Sequence, residues 1–190
     1  LSFRAQREIA IERQDFSSQT VLLEMTLQGF ALKDATLIFV TRNSSPHEIL
    51  LGYKKTGFGQ GKLNGFGGKI EDGETPRAAA VRELREEASI HVAEKDAIPV
   101  AHLTFVFDAQ PDWNLVVYAF LAREWSGTPT ESREMKPQWF NIDAIPFDQM
   151  WQDDVLWLPR VLKGEKLKAE FTFGVDNERV IDYKILEWQD

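Results

Sequence analysis

Glu83, Glu86 and Glu87 fall within a span of five residues in GFGGKIEDGETPRAAAVRELREEASI, residues 65–90. Each is a carboxylate at neutral pH, so gathering three of them calls for an explanation. On an α-helix each residue advances by ~100°; with Glu83 at zero, Glu87 lies at about +40° and Glu86 at about −60°. The carboxylates then share an arc of ~100°, with no lysine or arginine between them on that side. A solvated acidic face is the common explanation, yet like charges at i and i+4 cost roughly 0.2–0.5 kcal/mol. The other explanation is a divalent cation. Oxygen-only ligands with no cysteine or histidine nearby favour Mg2+ or Mn2+ over zinc.

The elements that must position these groups are legible in outline. Thr75 suits a helix N-cap and Pro76 the first helical position, and Ala78 to Ala88 is rich in helix formers. Ala80, Val81, Leu84 and Ala88 form an apolar arc beside the acidic one. Ala79 lies beneath the carboxylates, where a small side chain leaves room, and Arg85 points away. Upstream, TGFGQGKLNGFGG places six glycines in 13 residues, a loop that lets backbone approach a ligand. TLIFV and EILLGY read as strands around the turn NSSP, and HLTFVF and LVVYAFL as strands around QPDWN. PQWFNI is a further short strand. DDVLWLPRVLKG is a helix capped by an aspartate, with Pro159 bending or bounding it, and AEFTFG and RVIDYKIL form a hairpin around VDNE. SSQTVLLEMTLQGF is either a short helix or an extra strand. Strands around two helices, without repeats or a linker, give a single α/β or α+β domain over 34–190, with 1–33 an N-terminal extension of unassigned role.

The chain has 190 residues, enough for one domain with a sizeable core. Its net charge of −8 argues against a broad nucleic-acid surface. A small anionic ligand remains compatible, because a bound metal reverses the local sign. The absence of cysteine excludes disulfides and thiolate metal sites. No apolar run approaches the ~20 residues that span a bilayer. LSFRAQREIAIERQDF has three arginines but also Glu8, Glu12 and Asp15, unlike a transit peptide, and no signal-peptide apolar region is visible. The expectation is a cytoplasmic monomer, with a nuclear or mitochondrial fraction left open, acting on a small molecule and not on nucleic acid or membrane.

Gly68, Glu74, Arg82, Glu83, Leu84, Glu86, Glu87 and Ile90 together resemble the Nudix box, G-x5-E-x7-R-E-U-x-E-E-x-G-U, where U is bulky and apolar. Ser89 stands in place of the second glycine, which bears on the turn ending the helix and leaves the acidic residues intact. The resemblance implies the Nudix fold, a mixed sheet sandwiched between helices, with the box as loop–helix–loop. It also implies hydrolysis of a nucleoside diphosphate linked to another group. Glu83, Glu86 and Glu87 are then metal ligands, and one of them or a neighbour is the general base. The Gly67 carbonyl is implied as a further ligand. Arg82 orients the carboxylates, Glu74 among them, or forms an ordinary surface ion pair.

From about Thr36 to Ile185 the chain resembles the oxidised purine nucleoside triphosphatases within that family. The stretches that carry this are GYKKTGFGQGKLNGFGGKIEDGET, GTPTESREMKPQWF, IPFDQMWQDD and FTFGVDNERVIDYKI. The resemblance implies Asn64, Asp153 and Asp154 at the purine edge, and Phe58, Phe105, Met135, Trp151 and Trp157 around the ring. Thr36 and Lys54 lie near the nucleotide, and Glu134 supplies an additional metal-binding or catalytic carboxylate. Leu63 departs from the tryptophan common at its position, which would loosen the pocket wall. Taken singly, each residue has a plain structural alternative: Asp153 and Asp154 as helix caps, the tryptophans and Met135 as core, Asn64 as a turn residue, Lys54 as a solvated charge. The expected reaction is Mg2+-dependent conversion of 8-oxo-dGTP or 2-hydroxy-dATP to the monophosphate and pyrophosphate. The rivals are hydrolysis of ADP-ribose or a dinucleoside polyphosphate, and a non-catalytic nucleotide-binding module.

Overall fold

The run around TLIFV becomes a strand longer than its apolar centre. In the computed structural model, β1 spans Lys33–Arg42 because it is paired in parallel with β6 (Leu115–Ala122) from Lys33 to Val40. Its middle residues Ile38, Phe39 and Val40 are fully buried, as expected of a strand covered on both faces. At its far end, Val40 to Arg42 pair antiparallel with β2 (Glu48–Lys54). The structure describes residues 32–43 and 47–188. SSQTVLLEMTLQGF and most of the NSSP turn therefore lie outside the described residues.

β3 is the short Leu63–Asn64, β5 is Ile98–Phe107 and β8 is Met135–Asn141. β9 (Leu167–Phe173) and β10 (Val180–Glu187) form the antiparallel C-terminal hairpin. The mixed sheet runs β10-β9-β5-β6-β1-β2-β3, with β8 also paired to β2. β5 pairs antiparallel with β6 and parallel with β9. A separate pair joins β4 (Ile90–His91) to β7 (Ser126–Gly127).

One helix covers each face. α1 (Pro76–Ala88) begins as expected: Thr75 is extended and its Oγ1 accepts from the Ala78 N–H at 3.1 Å. Its buried residues are Ala79, Ala80, Leu84, Glu87 and Ala88. Val81, expected on the apolar arc, is only half-buried, while Glu87 is 5 % exposed. The helix is therefore seated with its buried arc turned toward Glu87. Ser89 takes φ 58°, the left-handed conformation a glycine adopts freely, and its N–H still bonds the Arg85 carbonyl at 3.0 Å. The serine keeps the turn and carries the backbone strain.

α2 (Asp154–Leu162) covers the other face and runs past Pro159 without ending there. Leu158, Val161 and Trp157 are fully buried against Leu103, Leu167 and Phe171 of the sheet.

β8 lies along β2 from Glu48 to Lys54, so β1 and β3 must share the opposite edge of β2. β1 holds that edge at residues 48–50 and β3 at residues 52 and 53. Where β1 parts from β2, the chain after β3 takes its place beside β1: the Ile38 N–H donates to the Phe66 carbonyl at 2.7 Å and the Thr36 N–H to the Gly68 carbonyl at 2.9 Å. The glycine-rich segment is thereby fixed to the centre of the sheet.

Candidate active site

A cavity of about 420 Å3 opens beside this split. Its lining brings together Thr36, Lys54, Phe58, Asn64, Gly67, Phe105, Glu134, Met135, Trp151, Asp153, Asp154 and Trp157, all singled out in the sequence. Leu63 packs into the core beside it and is not among the lining residues.

The aromatic side is layered. Phe58, which is 48 % exposed, stacks on Trp151 with centroids 5.1 Å apart and planes inclined at 22°. Phe105 stacks on Phe171 at 5.7 Å, and Phe107 on Phe173 at 4.7 Å. In the sequence Trp113 is marked only as part of the turn QPDWN. Its ring meets Phe58 edge-on at 5.2 Å and Phe107 at 5.7 Å, it lines the cavity, and it is 40 % exposed. Its position is set by Asn114, whose buried Oδ1 accepts from the Phe107 N–H at 2.7 Å. Phe107 and Phe173 were likewise missed. Strand alternation past Phe105 and Phe171 would have put both on the cavity face.

Asp153 and Asp154 are each 3 % exposed. Asp153 occupies the N-cap position of α2 but makes no capping bond. Its Oδ2 accepts instead from the Trp157 indole N–H at 3.0 Å, and Asp154 Oδ2 accepts from the Trp151 N–H at 3.1 Å. The plain capping role is thus not what Asp153 performs. Burial raises both carboxyls above the ordinary range, Asp154 further because Asp153 lies beside it; hydrogen bonds from Trp157 and Trp151 oppose the rise only in part. Such a pair favours holding a proton between its members near neutral pH. Asn64 lies at the same cavity, its Oδ1 accepting from the Gly65 N–H at 2.8 Å. Trp157 and Met135 belong to both core and cavity, while Thr36 spends its hydroxyl on the Tyr118 carbonyl at 3.3 Å.

The carboxylates of α1 do not stand as an open acidic edge. Arg82 grips Glu74 in a fork, Nε to Oε1 and Nη2 to Oε2 at 3.0 Å each, and its Nη1 reaches Glu83 at 2.9 Å and Glu86 at 3.5 Å. These bonds hold the Glu74 carboxyl below its usual range and raise Arg82 further. Lys54 of β2 extends into the same region, with its ammonium 2.9 Å from Glu87 and 3.1 Å from Glu134. The expected cation-free side is therefore occupied by Arg82 from the helix and Lys54 from the sheet. The spacing of the helix alone could not show the second. The Glu87 carboxyl is raised by burial, and the bonds from Lys54 and the Gly67 N–H oppose this. Burial lowers Lys54, but its bonds to Glu87 and Glu134 more than compensate. Both shifts favour the protonated form, which is the charged state of Lys54 but the neutral state of Glu87. With an ammonium and a main-chain N–H both donating to it, Glu87 is held as a carboxylate.

Among the described residues no three acidic or histidine side chains converge on one point as they stand. The chemistry of the donors nevertheless fits a hard divalent cation. All are oxygen, and Glu87 and Glu134 already share a cation in the form of the Lys54 ammonium. Backbone geometry agrees. Phe66 and Gly68 turn their carbonyls to β1, so alternation turns both the N–H and the carbonyl of Gly67 away from it. The Gly67 N–H donates to Glu87 Oε2 at 2.9 Å, which puts its carbonyl on the Glu87 side. The close approaches of this segment to β1 and to α1 both need glycine. A Cβ on Gly67 would lie 2.0 Å from the Thr36 oxygen, and one on Gly68 would lie 2.4 Å from Glu83 Oε1.

Residues 31–161 match the NUDIX domain family. The chain is 43 % identical over 153 residues to an oxidized purine nucleoside triphosphate hydrolase of Mus musculus, covering 80 % of this chain and 93 % of the relative. A protein of the same description from Danio rerio is 42 % identical over 162 residues, covering 85 % and 99 %. The fold matches a crystal structure of a mutator MutT protein from Bacillus halodurans with a TM-score of 0.68 at 21 % identity, covering 81 % of this chain and 97 % of that one.

Proposed function

The chain belongs to the Nudix hydrolase family, and we propose that it is a Mg2+-dependent pyrophosphohydrolase of oxidised purine (deoxy)nucleoside triphosphates. The products would be the nucleoside monophosphate and pyrophosphate, clearing damaged purines from the nucleotide pool. The observation that carries this reading is a single cavity lined both by a buried aspartate pair with aromatic walls and by the Lys54–Glu134 pair beside the Gly67–Gly68 loop. The names of the mouse and zebrafish relatives support the same substrate class.

In this reading the purine stacks against the aromatic wall, and Asn64 and the aspartate pair bond its edge. A protonated carboxyl donates while an ionised one only accepts, so one retained proton lets the pair match either an oxidised guanine or an oxidised adenine. The polyphosphate lies toward Lys54, Gly67 and Gly68. Glu83, Glu86, Glu87 and Glu134, with the Gly67 carbonyl, would hold magnesium, for which manganese can substitute. A divalent cation bound there supplies Lewis-acid chemistry, acidifying the attacking water and offsetting charge on the phosphoryl oxygens. One of the glutamates takes the proton of that water. Arg82 keeps Glu83 in place, and Lys54 offsets the charge of Glu87 and Glu134.

A turnover panel of 8-oxo-dGTP, 2-hydroxy-dATP, dGTP, dATP and ADP-ribose with Mg2+, with and without EDTA, tests the reading. Pyrophosphate release from the oxidised purines, abolished by EDTA, supports it. Preference for ADP-ribose, or no metal-dependent release from any of them, overturns it.

A further inference from the structure

Lys62 closes the glycine-rich turn, and its ammonium is turned inward. It lies 4.8 Å from the centroid of the Trp151 ring and 2.6 Å from Glu178 Oε2. The Lys62 side chain is 22 % exposed and that of Glu178 60 %, so the lysine is the inner partner. The turn carrying Glu178 is itself fixed: Asp176 Oδ1 accepts from the Glu178 N–H at 3.0 Å and the Arg179 N–H at 2.9 Å. That turn also reaches the aspartate segment, since the Val180 N–H donates to Gln152 Oε1 at 2.6 Å. Residues 176–180 thus brace the glycine-rich turn on one side and the Trp151–Asp154 segment on the other.

An ordinary surface ion pair would do little more than tether two loops. Here the cation faces an aromatic ring that lines the cavity, and the main-chain N–H of that same Trp151 donates to Asp154 Oδ2 at 3.1 Å. Burial and the adjacent Asp153 raise the Asp154 carboxyl, whereas the Trp151 N–H, the Trp157 indole and the Lys62 charge pull it down. The charged groups facing Asp154 are therefore Asp153 on its own segment and Lys62 from the glycine-rich turn, with Glu178 behind the lysine.

We propose that Lys62, anchored by Glu178, is a positioning residue for purine recognition: it holds the Trp151 indole as a stacking wall and sets which of Asp153 and Asp154 carries the negative charge of the pair. This rests on reading the cavity as an oxidised-purine site.

The test uses the full chain as Lys62→Met, Lys62→Arg and Glu178→Gln. Two quantities are read: the carbon-13 NMR titration of labelled aspartate carboxyls without nucleotide, and the ratio of kcat/KM for 8-oxo-dGTP and 2-hydroxy-dATP. Lys62→Met is expected to raise the midpoint of the aspartate pair and to shift the ratio by about two- to fivefold, while Lys62→Arg stays near the wild type in both. Glu178→Gln separates anchoring from simple charge. Loss of the anchor releases Lys62 and raises the midpoint; loss of a merely nearby negative charge lowers it. An unmoved midpoint in Lys62→Met, or a lowered one in Glu178→Gln, overturns the proposal. If Lys62→Met does not fold, the sign of the Glu178→Gln shift decides. If the midpoint moves as stated but the wild type turns over neither oxidised purine, the substrate reading fails and the charge coupling stands.

Discussion

The Lys54 ammonium lies 2.9 Å from the Glu87 carboxylate, joining the end of β2 to the helix that carries the acidic residues. Glu87 is 5 % exposed, so in Lys54→Met it would stay buried and lose its cation. We expect a loss of about 1–3 kcal/mol in urea unfolding. Adding Glu87→Gln should recover most of it; a double variant no more stable than the single would show that the ion pair is not what holds this contact.

Turnover should divide the carboxylates by burial. Glu83→Gln and Glu87→Gln are expected to lower kcat by about 10²–10⁴, the range of a lost acid–base or ligating group. Glu86, with 53 % of its side chain exposed, should matter less. Pyrophosphate release under saturating Mg2+ gives the ranking, and unchanged rates in all three would remove α1 from the chemistry.

The aspartate pair predicts a pH dependence of stability with a definite sign. The Asp153 carboxyl is raised from 3.8 to about 7, so between those values the native state keeps a proton that the unfolded chain has released. Stability therefore falls as the pH rises from 3.8 to about 7. Asp153→Asn should flatten that decline in denaturant melts taken across the interval. On substrates, Asp153→Asn and Asp154→Asn should change the relative rates on 8-oxo-dGTP and 2-hydroxy-dATP; equal, unchanged rates would take both residues out of base recognition.

Trp113 is expected to act on binding. Trp113→Ala should raise KM with little change in kcat, by an amount matching about 1–3 kcal/mol of lost base stacking. A fall in kcat at constant KM would point away from a stacking role.

Ser89 offers a test of backbone strain alone. Its φ of 58° suits glycine, so Ser89→Gly should stabilise the fold by about 0.5–1 kcal/mol in thermal unfolding with turnover unchanged. A destabilised variant would mean that the serine earns its place by a contact.

What was legible beforehand followed the range of the interactions. The start of α1 could be read because Thr75 and the Ala78 N–H are three residues apart. The start of β1 could not, because exposed Lys33 and Asp34 are strand only through pairing with Leu115 and Val116. The helical arc put Glu83, Glu86 and Glu87 together, but not their different burial, which depends on how α1 lies on the sheet. Lys54 comes from 33 residues upstream of Glu87, so no local pattern could show that it would meet the carboxylates. Trp113 carried no motif, and only the folded turn brings it to Phe58.

The pairing of residues 66–68 with β1 constrains more than which amino acids stand there. Phe66 and Gly68 face the strand while Gly67 faces the helix, so inserting or deleting one residue would exchange those directions. Glu87 would then lose its main-chain donor even with every side chain intact. Changes of length should therefore be rejected at 65–68, although a segment so rich in glycine would look permissive to a survey of composition.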